Sequence, residues 1–109
     1  MLVLCLLARI TAMKELITTQ NDSKVLNFSV ANNRYNGNET VTDFFNAVAW
    51  GKTAEFISKY FKTGQLIMIS GTLVNENYEK DGVKYYTDKI VVNQAEFAGY
   101  NKSDISKED

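Results

Sequence analysis

The chain has 109 residues, a formal net charge of −1, 45% hydrophobic and 23% charged residues, which is the size and balance of one small domain able to bury its own core. Histidine is absent and there is a single cysteine, Cys5, which excludes Ser-His-Asp and Cys-His triads, His-based and Cys-cluster metal sites, and an intramolecular disulfide. The charge does not mark a strongly basic nucleic-acid binder, although it is unevenly placed: residues 1–102 carry 11 Lys and Arg against 10 Asp and Glu, and residues 103–109 carry a net −2.

Residues 1–7 (MLVLCLL) are apolar throughout. They are too few to span a bilayer and have no positive stretch ahead of them. The pattern predicts a strand over residues 2–10, buried on both faces, in place of a signal peptide. Residues 11–24 read as a strand end and a connection, with a turn cluster at Gln20-Asn21-Asp22-Ser23. Residues 25–32 alternate Leu26, Phe28 and Val30 against Val25, Asn27 and Ser29, a half-buried strand. Residues 33–40 are expected as a loop containing the hairpin signal Asn36-Gly37.

The third strand covers residues 41–50. Period two puts Phe45, Ala47 and Ala49 on one face, which suits a barrel interior. Phe44, Asn46, Val48 and Trp50 share the other, expected as an exposed platform. Over residues 52–62 the period changes, and Ala54, Ile57 and Phe61 form one helical stripe with Gly64 as C-cap candidate. Residues 65–75 form a fourth strand, with Gly71 as a bend or bulge. Glu79-Lys80-Asp81-Gly82 is a hairpin tip, and residues 83–93 are the fifth strand. Glu96-Phe97 closes a domain spanning residues 1–99, and residues 100–109 are expected as a short acidic, disordered tail.

The order β-β-β-α-β-β predicts an all-β fold, a five-stranded OB-fold barrel with one helix between strands three and four. Closure would remove the exposed edges that such apolar strands otherwise present. OB-folds bind oligonucleotides or oligosaccharides on the face of strands two and three. Thirteen residues are aromatic: six Phe, six Tyr and one Trp. Phe28, Phe45, Phe56, Phe61 and Phe97 are assigned to the core. Tyr35, Phe44, Trp50, Tyr78, Tyr85 and Tyr86 fall at outward or barrel-mouth positions. Aromatics of this kind stack bases for about 1–3 kcal/mol each without regard to base identity. They equally suit a protein interface.

Arg34, Lys52, Lys62, Lys80, Lys84 and Lys89 are scattered singly among these rings, a spacing that suits a flexible phosphate backbone as well as a solvated surface. Asp43, Glu55, Glu79 and Asp81 lack metal-ligand spacing. No phosphate-cradling glycine loop and no catalytic constellation occur, so no metal or cofactor is expected. Three readings stay open on the residues: a single-strand binder, an OB-fold protein–protein adaptor of a primosome or recombination complex, and an oligosaccharide binder or hydrolase using Asp43 and Glu79. The lone thiol fits a reducing, cytoplasmic setting.

Several blocks together narrow this choice. FSVANNR at 28–34, DFFNAVAWGK at 43–52, Ala54-Glu55, YFKTG at 60–64, ISGTL at 69–73 and YEKDGVKYYT at 78–87 resemble the bacterial and phage single-stranded DNA-binding proteins. The resemblance runs to about residue 98, and WGKTAEFISKYFKTG is its most specific stretch. It implies an OB-fold, sequence-independent binding and protection of single-stranded DNA in replication, recombination or repair, no enzymatic activity, and a homotetramer, with a dimer as the alternative.

Position by position, Phe44, Trp50 and Tyr78 match the family's main stacking aromatics, and Tyr35 lies within one position of another. Arg34, Lys52 and Lys62 match basic or polar positions near DNA. With Lys80, Lys84 and Tyr86 these form the expected nucleic-acid-binding set. The sequence also departs from the family. Its Asp-Pro-Glu-Leu-Arg stretch is Met13-Lys14-Glu15-Leu16-Ile17 here, and the approach to the last hairpin is Val74-Asn75-Glu76-Asn77, where Lys and Arg are usual. The expected DNA path is therefore less cationic. The long linker and acidic Pro-Phe tip are not found in these residues, which implies that replication partners are not recruited through such a tip. The short, divergent form suggests phage or mobile-element origin.

Overall fold

A computed structural model describes residues 2–97, with the side chains of Glu76, Tyr78 and Tyr86 outside that description. The tail expected at residues 100–109 lies outside the described residues. The elements in order are β1 (Leu2–Met13), β2 (Ile17–Thr18), β3 (Lys24–Asn36), β4 (Glu39–Trp50), α1 (Gly51–Tyr60), β5 (Leu66–Lys80) and β6 (Val83–Phe97). The strands are ordered β1-β5-β6-β4-β3-β2, and a further β1–β3 pairing closes the sheet. The short β2 only flanks the start of β3, pairing Ile17 with Val25 and Thr18 with Lys24. The barrel proper therefore has five strands, the architecture of an OB-fold.

Most neighbours are antiparallel, but β4 and β6 run parallel where residues 46–49 meet residues 89–92. Parallel pairing needs a long crossover. Here α1 and β5 supply it, and α1 packs against β3, β4 and β6. Gly51, with φ 62°, makes the strand-to-helix corner that most side chains resist.

One hydrophobic cluster fills the barrel. Leu26, Phe28 and Val30 of β3 join Ala47 and Ala49 of β4, Ile67 and Ile69 of β5 and Ile90 of β6. The helical stripe closes it from below, with Ala54 and Ile57 at 0% exposure and Phe61 at 3%. Each large aliphatic so buried contributes about 1.5–3 kcal/mol relative to exposure.

Two hairpin turns follow their local chemistry. Asn36 pairs with Glu39, leaving Gly37-Asn38 as the loop with Gly37 at φ 69°. Lys80 pairs with Val83 across Asp81 and Gly82, both left-handed at φ 54° and 79°, which matches a type I′ turn. Gly71 has a different cause. The β5–β6 register shifts between Ser70 and Gly71, and a Cβ there would lie 2.2 Å from the Val91 carbonyl oxygen. Only glycine fits that approach.

Several expectations are corrected. The first strand is not buried on both faces: Leu4 and Leu6 pack against the core, while Val3 is 64% and Leu7 47% exposed and Cys5 is exposed. The strand has one covered side only, because β1 is part of a single-layered barrel wall. Residues 33–40 are not an open loop, since β3 and β4 stay paired to the Asn36–Glu39 turn. Gly64 does not cap α1; Phe61 does, and the Gly64 N–H donates to the Ile10 carbonyl at 2.7 Å. Phe45 and Phe56 do pack against the core as expected, though each is only half-buried. Phe97 is 60% exposed even though its ring stacks on Phe61 at 4.8 Å. Val48 faces outward by parity yet is 4% exposed, because β4 is an interior strand flanked in register by Asn27 and Val91.

Candidate nucleic-acid interface

The outer face of β3 and β4 is set by pairing register. Val25 stands opposite Trp50, Asn27 opposite Val48, Ser29 opposite Asn46, Ala31 opposite Phe44, Asn33 opposite Thr42 and Tyr35 opposite Thr40. Two pairs are tied laterally, Thr42 Oγ1 donating to Asn33 Oδ1 at 2.7 Å and Ser29 Oγ to Asn46 Oδ1 at 3.4 Å. The β3 and β4 side chains on this face between Phe44 and Trp50 are uncharged. Phe44 is 70% exposed, Trp50 50% and Tyr35 83%, unusual for large aromatics with a core available nearby. Phe44 and Trp50 lie six residues apart on one strand, about 20 Å at the β rise.

The parallel partner β6 extends this face. Lys89 is in register with Asn46 and Val91 with Val48. Two residues further toward the hairpin lies Thr87, and two beyond it Tyr85, which is 42% exposed and paired in register with Tyr78. Tyr85 thus shares the alternation set of Lys89 and Thr87. Tyr86 occupies the other set, opposite Asn77, and Lys84 stands opposite Glu79 in that same set. Position 80 falls in the set of 78, 85 and 89. The expected group of four hairpin residues is therefore split between alternate faces. Tyr85, outside the expected set, shares the face of Thr87 and Lys89 by the period-two rule within β6.

The remaining expected residues separate. Lys52 joins Trp50, Lys24 and Glu55 around a hollow at the start of α1. Lys62 lies past the other end of α1, its N–H donating to Gln65 Oε1 at 2.7 Å. Arg34 sits one position from Tyr35, hence in the opposite alternation set, where its Nε donates to Asp43 Oδ2 at 2.6 Å. Both groups are partly exposed, so the pair is worth at most about 1 kcal/mol. Its main effect is to cancel the guanidinium charge locally. No group of three or more metal-ligating side chains occurs among the described residues. No helix among them is long and apolar enough to cross a membrane.

This geometry can be set beside known proteins. The model of the single-strand binding protein family matches residues 1–98. Single-stranded DNA-binding protein 2 of Streptococcus agalactiae is 38% identical over 89 residues, covering 79% of this chain and 68% of the relative. A single-stranded DNA-binding protein of Fusobacterium nucleatum is 37% identical over 94 residues, 82% of this chain and 61% of its own. Single-stranded DNA-binding protein 1 of Staphylococcus aureus is 34% identical over 108 residues, 95% of this chain and 69% of its own. Among solved structures, "Plasmodium falciparum SSB complex with ssDNA" superposes with a TM-score of 0.78 at 19% identity, over 88% of this chain and 91% of that one, a likeness of fold.

Proposed function

The chain belongs to the single-strand binding protein family, and on that premise we propose that it binds and protects single-stranded DNA, without sequence preference, during replication, recombination or repair. The observation that carries this reading is the pair of exposed rings on one outer face of a closed barrel, Phe44 at 70% and Trp50 at 50%. An unpaired strand offers bases to such rings, whereas a duplex keeps its bases stacked inside. Stacking and cation contacts need no reacting groups, so the activity is binding and not catalysis. Tyr35 and Tyr85 extend the platform at its hairpin ends, with Lys52 and Lys80 near the path.

Phosphate contacts contribute less here than in a basic protein. The net charge through residue 102 is +1, and Arg34 is paired with Asp43. Stacking then carries the larger share of affinity and salt dependence is shallow. The exposed side of β1, with Val3 and Leu7 and with Leu66 of β5, 39% exposed, diagonal to Leu7, is the surface on which we place self-association, as a homotetramer or dimer. The setting we infer is the cytoplasm of a bacterial cell, with the gene host- or phage-borne. Trp50 is the sole tryptophan, so its fluorescence reports directly on the platform. Quenching by oligo-dT but not by a duplex of equal length supports the reading. Equal response to both, or to neither, overturns it in favour of an adaptor role.

A further inference from the structure

Four strands meet in one row across the barrel face. Ala12 of β1 pairs with Ser29, Ser29 with Asn46, and Asn46 with Lys89 of β6. One step along, the Lys14 N–H donates to the Asn27 carbonyl at 3.0 Å, which sets Lys14 beside Asn27 and, beyond it, Val48. These two rows lie between the row of Phe44 and that of Trp50. Small side chains at Ala12 and Ser29 leave a hollow of about 300 Å³, rimmed by Lys14, Asn27, Ser29, Asn46 and Lys89 with Ala47 in its floor. Among the described residues its lining holds no carboxylate, while Asp88 lines the adjoining hollow that shares Ala12, Ser29 and Asn46. The two lysines approach from opposite sides, about 14 Å apart across three strand spacings.

Given single-strand binding, we propose that this hollow is a nucleotide subsite, in which Lys14 and Lys89 hold phosphates from either flank and Asn27 and Asn46 hydrogen-bond the nucleotide between them. A stacked strand advances about 3.4 Å per nucleotide, so a strand bridging the 20 Å or so from Phe44 to Trp50 places several nucleotides over these rows. The occupant is fixed by charge and chemistry: two cations, two amides and a hydroxyl around an uncharged floor suit a phosphodiester with its sugar and base edge. Neither lysine was in the expected site, since position 14 reads as a loop and position 89 as one of many scattered cations. The pairing of strands distant in sequence brings them together, and it moves cationic contact from the acidic hairpin approach to the barrel wall.

The experiment is a set of oligo-dT titrations from 50 mM to 1 M salt. It uses the full chain, Lys14→Gln, Lys89→Gln, the double variant, and Lys59→Gln on α1 as a control outside the hollow. Each phosphate contact contributes about −0.7 to the slope of log K against log salt. Each single variant should lose about that much slope, which is roughly eightfold weaker binding at 50 mM if the curves converge near 1 M. The double variant should lose about twice the slope, and Lys14→Arg with Lys89→Arg should restore it. Thermal melts establish that each variant is folded. Lys14 is exposed, so Lys14→Gln carries the test if Lys89→Gln melts early. A folded Lys14→Gln or double variant that keeps the parent slope overturns the subsite while leaving single-strand binding intact. A parent that fails to bind oligo-dT overturns both.

Discussion

Replacing Phe44 with Ala isolates stacking from folding. The residue is 70% exposed, so only about a third of its surface is removed from water by the fold. For an aromatic burying up to about 200 Å² that is near 60 Å², worth at most about 1.5 kcal/mol at 25 cal/mol/Å². A domain of typical stability, about 5–15 kcal/mol, remains folded after such a loss. Binding should suffer more directly. One stacked base is worth about 1–3 kcal/mol, so the dissociation constant for oligo-dT should rise about 5- to 140-fold. Trp50 is left in place as the fluorophore, which makes the same quenching titration usable for parent and variant. The corresponding Trp50→Ala change is less clean, because Trp50 stands opposite Val25, itself only 8% exposed, and would uncover it. A folded Phe44→Ala protein that binds oligo-dT with the parent affinity would refute the platform. It would also remove the ground for reading the exposed β3–β4 face as a DNA surface.

Other expectations follow from named contacts. Gly71→Ala should lower stability by about 2 kcal/mol or more in a denaturant melt, because its Cβ would meet the Val91 carbonyl oxygen at 2.2 Å; an unchanged melt would show that the bulge relaxes freely. Asp43→Asn should cost about 1 kcal/mol of stability or less and, by releasing the Arg34 charge, tighten oligo-dT binding at low salt; weaker binding would mean that the pair orders the hairpin for the strand. Glu76→Lys, at the position paired with Thr87 in the β5–β6 hairpin, should steepen the salt slope and tighten binding at low salt, with little change at high salt. A variant indistinguishable from the parent would take position 76 off the DNA path.

Much of the barrel was legible in the chain because its signals are local. Alternation at Leu26, Phe28 and Val30 needs only neighbouring residues to declare an inward face, and all three are buried. Asn36-Gly37 and Asp81-Gly82 announce turns through backbone freedom, and Ala54, Ile57 and Phe61 declare a helix through their spacing. The exposed state of Phe44 and Trp50 was legible too, since parity opposed them to Ala47 and Ala49. Gly71 could be marked as a break, but not explained.

What tertiary structure decided is whatever depends on a strand's neighbours. An apolar run reads the same whether both faces are covered or one awaits a partner, so the exposed side of β1 could not be inferred from residues 2–10. Val48 has the parity of the platform, but an interior strand with residues on both flanks leaves a short side chain no access to water. Which of Tyr85 and Tyr86 shares an alternation set with position 78 depends on hairpin register, and a shift of one position would exchange them. The hollow between Lys14 and Lys89 is the extreme case. Its row joins positions 12, 29, 46 and 89, and barrel closure sets side by side residues that no sequence window spans.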